Sequence, residues 1–292
     1  MTDPIARALA LPIWRGRPKA ESLGGGITNL NVLVTDDVRR AVVRIGDDIP
    51  VHQILRFNEL AASRAAYAAG VSPAVLHHEP GALVIDFIAG RTMTAADLRE
   101  PAILEQALGL VIRTHREVPR HLRGPALTFW VFHVLRDYAG TLEAGASRHR
   151  PLLPSFLDEA AALEAAVGRI EMVFGHNDLL PANFLHDGTR MWLIDWDYAG
   201  WGSPLFDLGG LAANNGLDRA QEEWVLATYF GTAADADLWR RYAAMKAAAA
   251  LREAMWSMVQ DIHSDLDFDY AAYTADYLDT YRAAFAAFRT LA

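Results

Sequence analysis

The 292-residue sequence predicts an α+β protein with two lobes, a small sheet-rich N-lobe and a larger, mostly helical C-lobe. Three observations predict this architecture. The first ninety residues contain short apolar, β-branched runs between turn signals. From residue 105 onward, long stretches carry the spacing of amphipathic helices. Between these parts, a buried apolar run is followed by Gly90, and residues 87–91 are interpreted as a hinge. The expected lobes are therefore residues 1–90 and 91–292.

The N-lobe elements follow from turn residues and hydrophobic periodicity. Arg39 and Arg40 lie in a tight connection between two extended runs, which indicates a hairpin. Gly70 is a helix-stop signal. The predicted elements are a glycine turn at 24–26, extended segments at 29–34 and 41–45, a helix at 52–69, and a buried strand at 82–88.

The C-lobe pattern is helical except at one place. Short apolar runs at Phe174 and Met191–Asp195 flank a polar loop. The predicted helices are residues 105–115, 128–141, 155–170, 219–229, 235–262 and 271–289.

Composition limits the classes of function. The net charge of −9 opposes binding to nucleic acid or anionic membranes and suits a small cationic partner. The absence of cysteine excludes disulfides, thiolate nucleophiles and zinc–cysteine sites. Residues 1–17 lack the continuous apolar run of a signal peptide, and no stretch has the roughly 20 apolar residues of a membrane span. We therefore expect a soluble cytoplasmic protein without membrane insertion.

The polar loop carries a pattern suited to phosphoryl transfer. Asp178 and Asn183 lie five residues apart, and Asp195 ends the apolar run that follows. Phosphoryl transfer needs a carboxylate to orient the attacking hydroxyl and oxygen ligands to hold Mg²⁺. Asp178 suits the first role, and Asn183 and Asp195 suit the second. His176 is more consistent with a scaffold residue that hydrogen-bonds the loop backbone.

The N-lobe contains a matching set of candidate phosphate-binding groups. Backbone N–H groups of the glycine-rich turn, which includes Gly25, Thr28 and Asn29, can approach phosphates closely. Arg44 alternates with buried strand residues, so it projects from the other face of the strand, where a cation can clamp phosphates. Glu59, fifteen residues later on the predicted helix, can hold Arg44 in place.

Three motifs together resemble the choline/ethanolamine kinase family, in the aminoglycoside phosphotransferase-like branch of the protein-kinase-like fold. They are Phe174-Gly-His-Asn-Asp-Leu-Leu-Pro-Ala-Asn-Phe-Leu185, Trp192-Leu-Ile-Asp-Trp-Asp-Tyr-Ala-Gly200 and Pro204-Leu-Phe-Asp-Leu208. The resemblance runs from the glycine turn to the C-terminal segments 256–260 and 268–273, which favour the choline kinase branch.

The resemblance implies ATP and Mg²⁺ as cofactors and assigns roles to specific residues. Asp178 is then the catalytic base, and Asn183 and Asp195 are the magnesium ligands. Arg44 contacts the ATP phosphates. The hinge that reads adenine through its backbone comprises Asp86, Phe87 and Ile88, and Asp207 is a structural aspartate that ties the catalytic loop together.

The acceptor is expected to be a small cationic alcohol, choline first. A quaternary ammonium is recognised by aromatic faces and nearby carboxylates. The residues that resemble the family's substrate cage are Tyr198, Trp256, Phe268 and Tyr273, with Asp197 beside Tyr198 as a source of negative charge. Packing in the core is an alternative explanation for each aromatic side chain.

Two departures keep other acceptors open. Eukaryotic family members carry a second tryptophan three residues before the one that matches Trp256, and Glu253 stands there in this chain. Asn214 lies near a position where the family offers a further carboxylate. Ethanolamine, an aminoglycoside or a thiamine-like cation is therefore an alternative acceptor, and a catalytically silent kinase-like binding module is an alternative class.

Overall fold

A computed structural model describes residues 3–24, 30–264 and 266–291 of the chain. Its N-terminal part is a five-stranded antiparallel sheet with the strand order β1-β2-β3-β5-β4. The bounds are α1 Pro4–Leu9, β1 Lys19–Leu23, β2 Leu30–Thr35, β3 Arg40–Ile45, α2 Arg56–Ala68, β4 Val75–Glu79 and β5 Ala82–Asp86.

Strand alternation divides this sheet into an apolar and a polar face. Val32 pairs with Val43, which in turn pairs with Val84, and all three side chains are buried in a small core beneath α1. Because successive residues of a strand point to opposite faces, Arg44 lies on the other side of the sheet. The sheet therefore presents Arg44 toward the C-terminal part of the chain.

Several element ends differ from the sequence-based expectation. Helix α2 begins at Arg56 rather than residue 52, because Pro50–His52 forms a 3₁₀ turn and Gln53 has a left-handed φ of 59°. Strands β1 and β4 were not predicted. The residues of β1 are largely exposed, so that strand carries little hydrophobic alternation from which it can be recognised.

The remainder of the chain is mainly helical, with short strands around the polar loop. Helix α4 is longer than the predicted 105–115, since Pro101 occupies its first turn, where proline is favoured. The bounds are β6 Arg91–Thr92, α3 Ala95–Leu98, α4 Pro101–His121, α5 Val131–Ala144, α6 Leu153–Val167, β7 Val173–Gly175, β8 Phe184–His186, β9 Met191–Leu193, β10 Gly200–Gly202, α7 Pro204–Asn215, α8 Arg219–Phe230, α9 Ala236–His263 and α10 Tyr270–Arg289.

Helix α9 forms the centre of the larger core. Its middle section is alanine-rich and buried, and it packs against α5, α6, α7 and α10. At Gly209 of α7, an added Cβ would lie only 2.8 Å from the backbone of Lys246, so α7 and α9 approach each other very closely. In the described ranges, no helix combines the length and apolar character needed to cross a bilayer.

Candidate active site

The polar loop and the β8–β9 hairpin bring the three predicted catalytic side chains together. Phe184 pairs with Leu193 in this hairpin, and the N–H of Ile194 donates to the carbonyl of Asn183 at 3.0 Å. The Asn183 amide Nδ2 donates to the backbone carbonyl of Asp178 at 2.7 Å and to its carboxylate Oδ2 at 3.0 Å. Asp195 follows Ile194 directly, so the hairpin fixes its distance from Asn183.

Two residues of this region have left-handed backbone conformations. Asn177 has a φ of 64° and Asp195 a φ of 69°. Asn and Asp tolerate this region better than most residues, and such conformations concentrate at functional sites. Asn177 directly precedes Asp178, and Asp195 is itself a predicted metal ligand.

Asp207, at the start of α7, anchors the loop from behind. Its carboxylate accepts hydrogen bonds from the backbone N–H groups of His176 at 2.8 Å and Asn177 at 2.7 Å, and lies 2.9 Å from His115 Nε2. Burial opposes the charge, yet the contacts with His115 and the N–H donors hold the pKa of Asp207 below its usual value. An ionised, fully engaged Asp207 suits the structural role implied by the resemblance.

His176 also has a scaffold position. Its Nε2 lies 2.9 Å from the carbonyl of Ile194, and its Nδ1 accepts from the N–H of Asp178 at 3.3 Å. Burial lowers the pKa of His176, so the imidazole is neutral and can donate from Nε2 while accepting at Nδ1. The ring therefore links the loop backbone to the end of β9.

Asp178 has the properties of a general base. Burial is the main cause that raises the pKa of its carboxyl to about 8; Glu253 and Asp195 act in the same direction, and Arg252 and Asn183 act against it. A base whose pKa lies near neutral pH transfers protons efficiently. Arg252 Nη1 lies 3.6 Å from Asp178 Oδ1 and is the cation nearest to it in the described parts of the chain.

Arg44 is the centre of a buried charge cluster. Its guanidinium contacts Glu59 at 2.6 Å, Asp195 at 2.9 Å and Asp197 at 2.8 Å. Arg56 bridges the same Glu59 and Asp197, at 2.8 Å each. These contacts raise the pKa of Arg44, although burial alone would lower it. The expected support of Arg44 by Glu59 is therefore present, and the cluster also joins Arg44 directly to Asp195.

Two members of this cluster differ from the sequence-based expectation. Asp197 was predicted to bind the acceptor, but its buried carboxylate faces Arg44 and Arg56 rather than the cavity described below. The reason is its ion pairs with Arg44 and Arg56, both at 2.8 Å, which hold the carboxylate in the cluster. Arg56 was not predicted, although its i,i+3 spacing to Glu59 indicates a helix-surface pair.

A cavity of about 460 Å³ lies beside Asp178 and is the candidate acceptor pocket. It is large enough for a small organic ligand. The four predicted aromatic residues line it together with the predicted base and metal ligands, and the sequence analysis missed the roles of Arg252 and Tyr277. Its chemically relevant wall consists of Asp178, Asn183, Asp195, Tyr198, Asn214, Arg252, Glu253, Trp256, Phe268, Tyr273 and Tyr277.

The aromatic side chains of this pocket differ in exposure. Trp256 is 3% exposed and its ring packs 6.0 Å from that of Tyr273, so it belongs to the core as well as to the pocket wall. Phe268 is 37% exposed at the rim. Tyr273 donates its hydroxyl to Glu253 at 2.8 Å. Core packing and ligand contact are therefore compatible for these residues.

The residues predicted to contact nucleotide are only partly described. Asp86 ends β5, and Phe87 and Ile88 follow it; the N–H of Phe87 donates to the carbonyl of Arg40 at 3.3 Å. Gly25, Thr28 and Asn29 lie outside the described residues. The nucleotide-contacting role of all six residues stays a prediction.

The predicted metal ligands fit a magnesium ion chemically. Asn183 uses its Nδ2 to hold Asp178, which leaves the amide oxygen as the atom available to a metal. Asp195 supplies a carboxylate on the same cavity wall. Mg²⁺ prefers such hard oxygen ligands and usually retains several waters, so one amide and one carboxylate form a suitable pair.

Comparison with known proteins identifies relatives of this chain. The LicA protein of Haemophilus influenzae is 29% identical over 214 residues, which cover 70% of this chain and 61% of that protein, so the chain spans less than two thirds of that relative. A probable ethanolamine kinase of Arabidopsis thaliana is 28% identical over 286 residues, covering 87% of this chain and 76% of the relative.

The structural comparison agrees with the sequence comparison. The crystal structure of a choline/ethanolamine kinase family protein from Mesorhizobium loti superimposes with a TM-score of 0.74 at 28% identity, covering 98% of this chain and 97% of the other. The predicted bilobal, protein-kinase-like α+β fold is confirmed. The sequence pattern of the phosphotransferase enzyme family (APH) matches residues 19–250, and this chain belongs to that family.

Proposed function

We propose that this protein is an ATP- and Mg²⁺-dependent kinase that phosphorylates the hydroxyl of a small cationic alcohol. The observation that carries the proposal is the shared cavity. Asp178, Asn183 and Asp195 line the same cavity as the four predicted aromatic rings and Glu253. A hydroxyl, a phosphate-bound metal and a cationic nitrogen can therefore be held within one small volume.

The chain's own residues account for the acceptor side of the reaction. Asp178 accepts a hydrogen bond from the acceptor hydroxyl and takes its proton as the oxygen bonds to the γ-phosphorus of ATP, whose bond to the bridging oxygen breaks so that ADP leaves. Its amide partner Asn183 fixes the carboxylate's orientation through the contact at 3.0 Å. Asn183 and Asp195 would hold the metal, and its charge would neutralise phosphate oxygens. Arg44, fixed by Glu59, provides a cation for the nonreacting phosphates.

The site assignment is tested by Asp178→Asn and Asp195→Asn, with exposed Asp276→Asn as the matched control. We expect each site variant to lower turnover by at least about a thousandfold, because positioned bases and bound metals each contribute factors of this size. Circular dichroism should show an unchanged fold. Normal turnover in either site variant would refute the assignment.

The acceptor is tested by an ADP-release screen across choline, ethanolamine, thiamine and aminoglycosides. The aromatic residues of the pocket suit choline, and Glu253 in the same pocket suits ethanolamine, so both are tested first. The names of a relative and a structural neighbour, a probable ethanolamine kinase and a choline/ethanolamine kinase family protein, support this class of acceptor. If Tyr198→Ala and Trp256→Ala leave the KM for choline unchanged, a cage built from these two rings is excluded.

A silent binding module gives a different result in the same screen. Such a protein would show a nucleotide-dependent thermal shift but release no ADP with any acceptor. The joint presence of Asp178, Asn183 and Asp195 in one cavity favours the catalytic alternative.

A further inference from the structure

Arg252 and Glu253 form a buried ion pair in the wall of the acceptor pocket. Arg252 Nη1 lies 2.6 Å from Glu253 Oε2, and each residue is only 3% exposed. The proposed phosphoryl transfer requires neither the positive charge of Arg252 nor the negative charge of Glu253. Removing such an ion pair from water costs free energy. Both of its charges also act on any ligand in the pocket.

Arg252 occupies the aromatic face that a cation cage would otherwise use. Its guanidinium carbon lies 4.1 Å from the centre of the Tyr198 ring, well within the range of cation–π contact. A second cation cannot bind the same face at that distance. The rings left for a ligand nitrogen are those of Trp256, Phe268, Tyr273 and Tyr277.

Glu253 retains directional acceptor capacity. Its Oε1 accepts from the Tyr273 hydroxyl at 2.8 Å, and its Oε2 accepts from Arg252. Each carboxylate oxygen has two acceptor positions, so one position remains on each atom. The positive charge of Arg252 offsets the negative charge of Glu253, so Glu253 attracts a quaternary ammonium only weakly. An ammonium that keeps an N–H can still donate a short hydrogen bond to Glu253.

The pair also sets the distance between the two ends of the ligand. The same Arg252 Nη1 lies 3.6 Å from Asp178 Oδ1 and 2.6 Å from Glu253 Oε2. The distance between these two carboxylate oxygens therefore cannot exceed the sum of the two contacts. A two-carbon amino alcohol can reach both, because hydrogen bonds of about 2.8 Å extend its reach at each end. Its nitrogen then contacts Glu253 while its hydroxyl contacts Asp178.

We propose that the Arg252–Glu253 pair makes the acceptor site selective for an ammonium group that keeps at least one N–H, so that ethanolamine and its partly methylated derivatives are preferred to choline. This inference rests on the proposed function, phosphorylation of a small cationic alcohol. It assigns Glu253 as the residue that binds the ammonium and Arg252 as the residue that removes Tyr198 from the cage.

The test uses the full chain and four acceptors that differ only in methylation: ethanolamine, N-methylethanolamine, N,N-dimethylethanolamine and choline. We expect kcat/KM to fall by about tenfold or more at the last step, where the final N–H is lost, because a charged hydrogen bond has this value. Glu253→Gln should lower kcat/KM for ethanolamine by about 10- to 100-fold and for choline by less than about threefold. Exposed Glu105→Gln is the matched control.

Arg252→Met provides a second variant, because it uncovers the Tyr198 ring and should raise the ratio of choline to ethanolamine turnover. Equal or better wild-type use of choline, or an equal loss for both acceptors in Glu253→Gln, overturns the selectivity while leaving the proposed kinase intact. Failure of all four acceptors overturns the proposed function and the selectivity together.

Discussion

The buried cluster around Arg44 gives a quantitative prediction for Glu59→Ala. Glu59 is 2% exposed and accepts charge-assisted hydrogen bonds from Arg44 at 2.6 Å and Arg56 at 2.8 Å. Each bond to a charged group contributes about 1.5–3 kcal/mol. Both arginines keep Asp197 as a partner, and the variant removes one of three carboxylates that share two cations. We therefore expect a loss near the lower limit, about 3 kcal/mol.

This loss can be measured by thermal and urea unfolding. For a chain of this size, about 3 kcal/mol corresponds to a fall in Tm of about 5 °C. The control is Glu223→Ala, which breaks the exposed Arg219–Glu223 pair of 2.8 Å and should change stability by less than about 1 kcal/mol. The cluster is screened poorly by salt, so the effect of Glu59→Ala should persist at high ionic strength. An effect no larger than that of the control would refute this account.

Two further predictions concern pH and helix packing. Burial lowers the pKa of His52 from the usual 6.5 to about 4. Because the unfolded chain takes up this proton first, the free energy of unfolding falls as pH drops below 6.5, by about 2 kcal/mol between pH 7.5 and 5. His52→Gln should remove most of this acid-dependent loss of unfolding free energy, whereas exposed His133→Gln should leave it. Gly209→Ala should destabilise by about 1–3 kcal/mol, since its Cβ meets the Lys246 backbone. Gly210→Ala, with open space around its Cβ, should stabilise by about 0.5–1 kcal/mol, and opposite shifts in Tm test the pair.

The sequence was sufficient for the parts of this protein that depend on local pattern. The spacing of Asp178, Asn183 and Asp195 indicated one phosphoryl-transfer loop, and the structure brings the three side chains to one cavity. The alternation around Arg44 indicated a cation on the free face of β3, which the structure places against Glu59. Such features follow from residue type and element periodicity within a short stretch of chain.

The sequence could not predict contacts between elements that lie far apart in the chain. Asp197 and Tyr198 were both predicted to bind the acceptor, but only the fold shows that Arg56 draws Asp197 into the Arg44 cluster. In the sequence, Arg252 is one charged residue of an alanine-rich helix. Only the packing of α9 shows that it lies 3.6 Å from Asp178. No local pattern specifies which helix face meets which loop.

The sequence by itself thus predicted the two-lobed fold, and it indicated the proposed reaction class and the three polar side chains that the structure brings to one cavity. The tertiary structure alone decided how the candidate acceptor pocket is charged, because Arg252 covers Tyr198 and approaches Asp178 only when α9 packs beside the polar loop and the segment that follows β9. The physical reason is that catalytic motifs are short and continuous in the chain, whereas the balance of charge in a cavity is a sum over residues far apart in sequence.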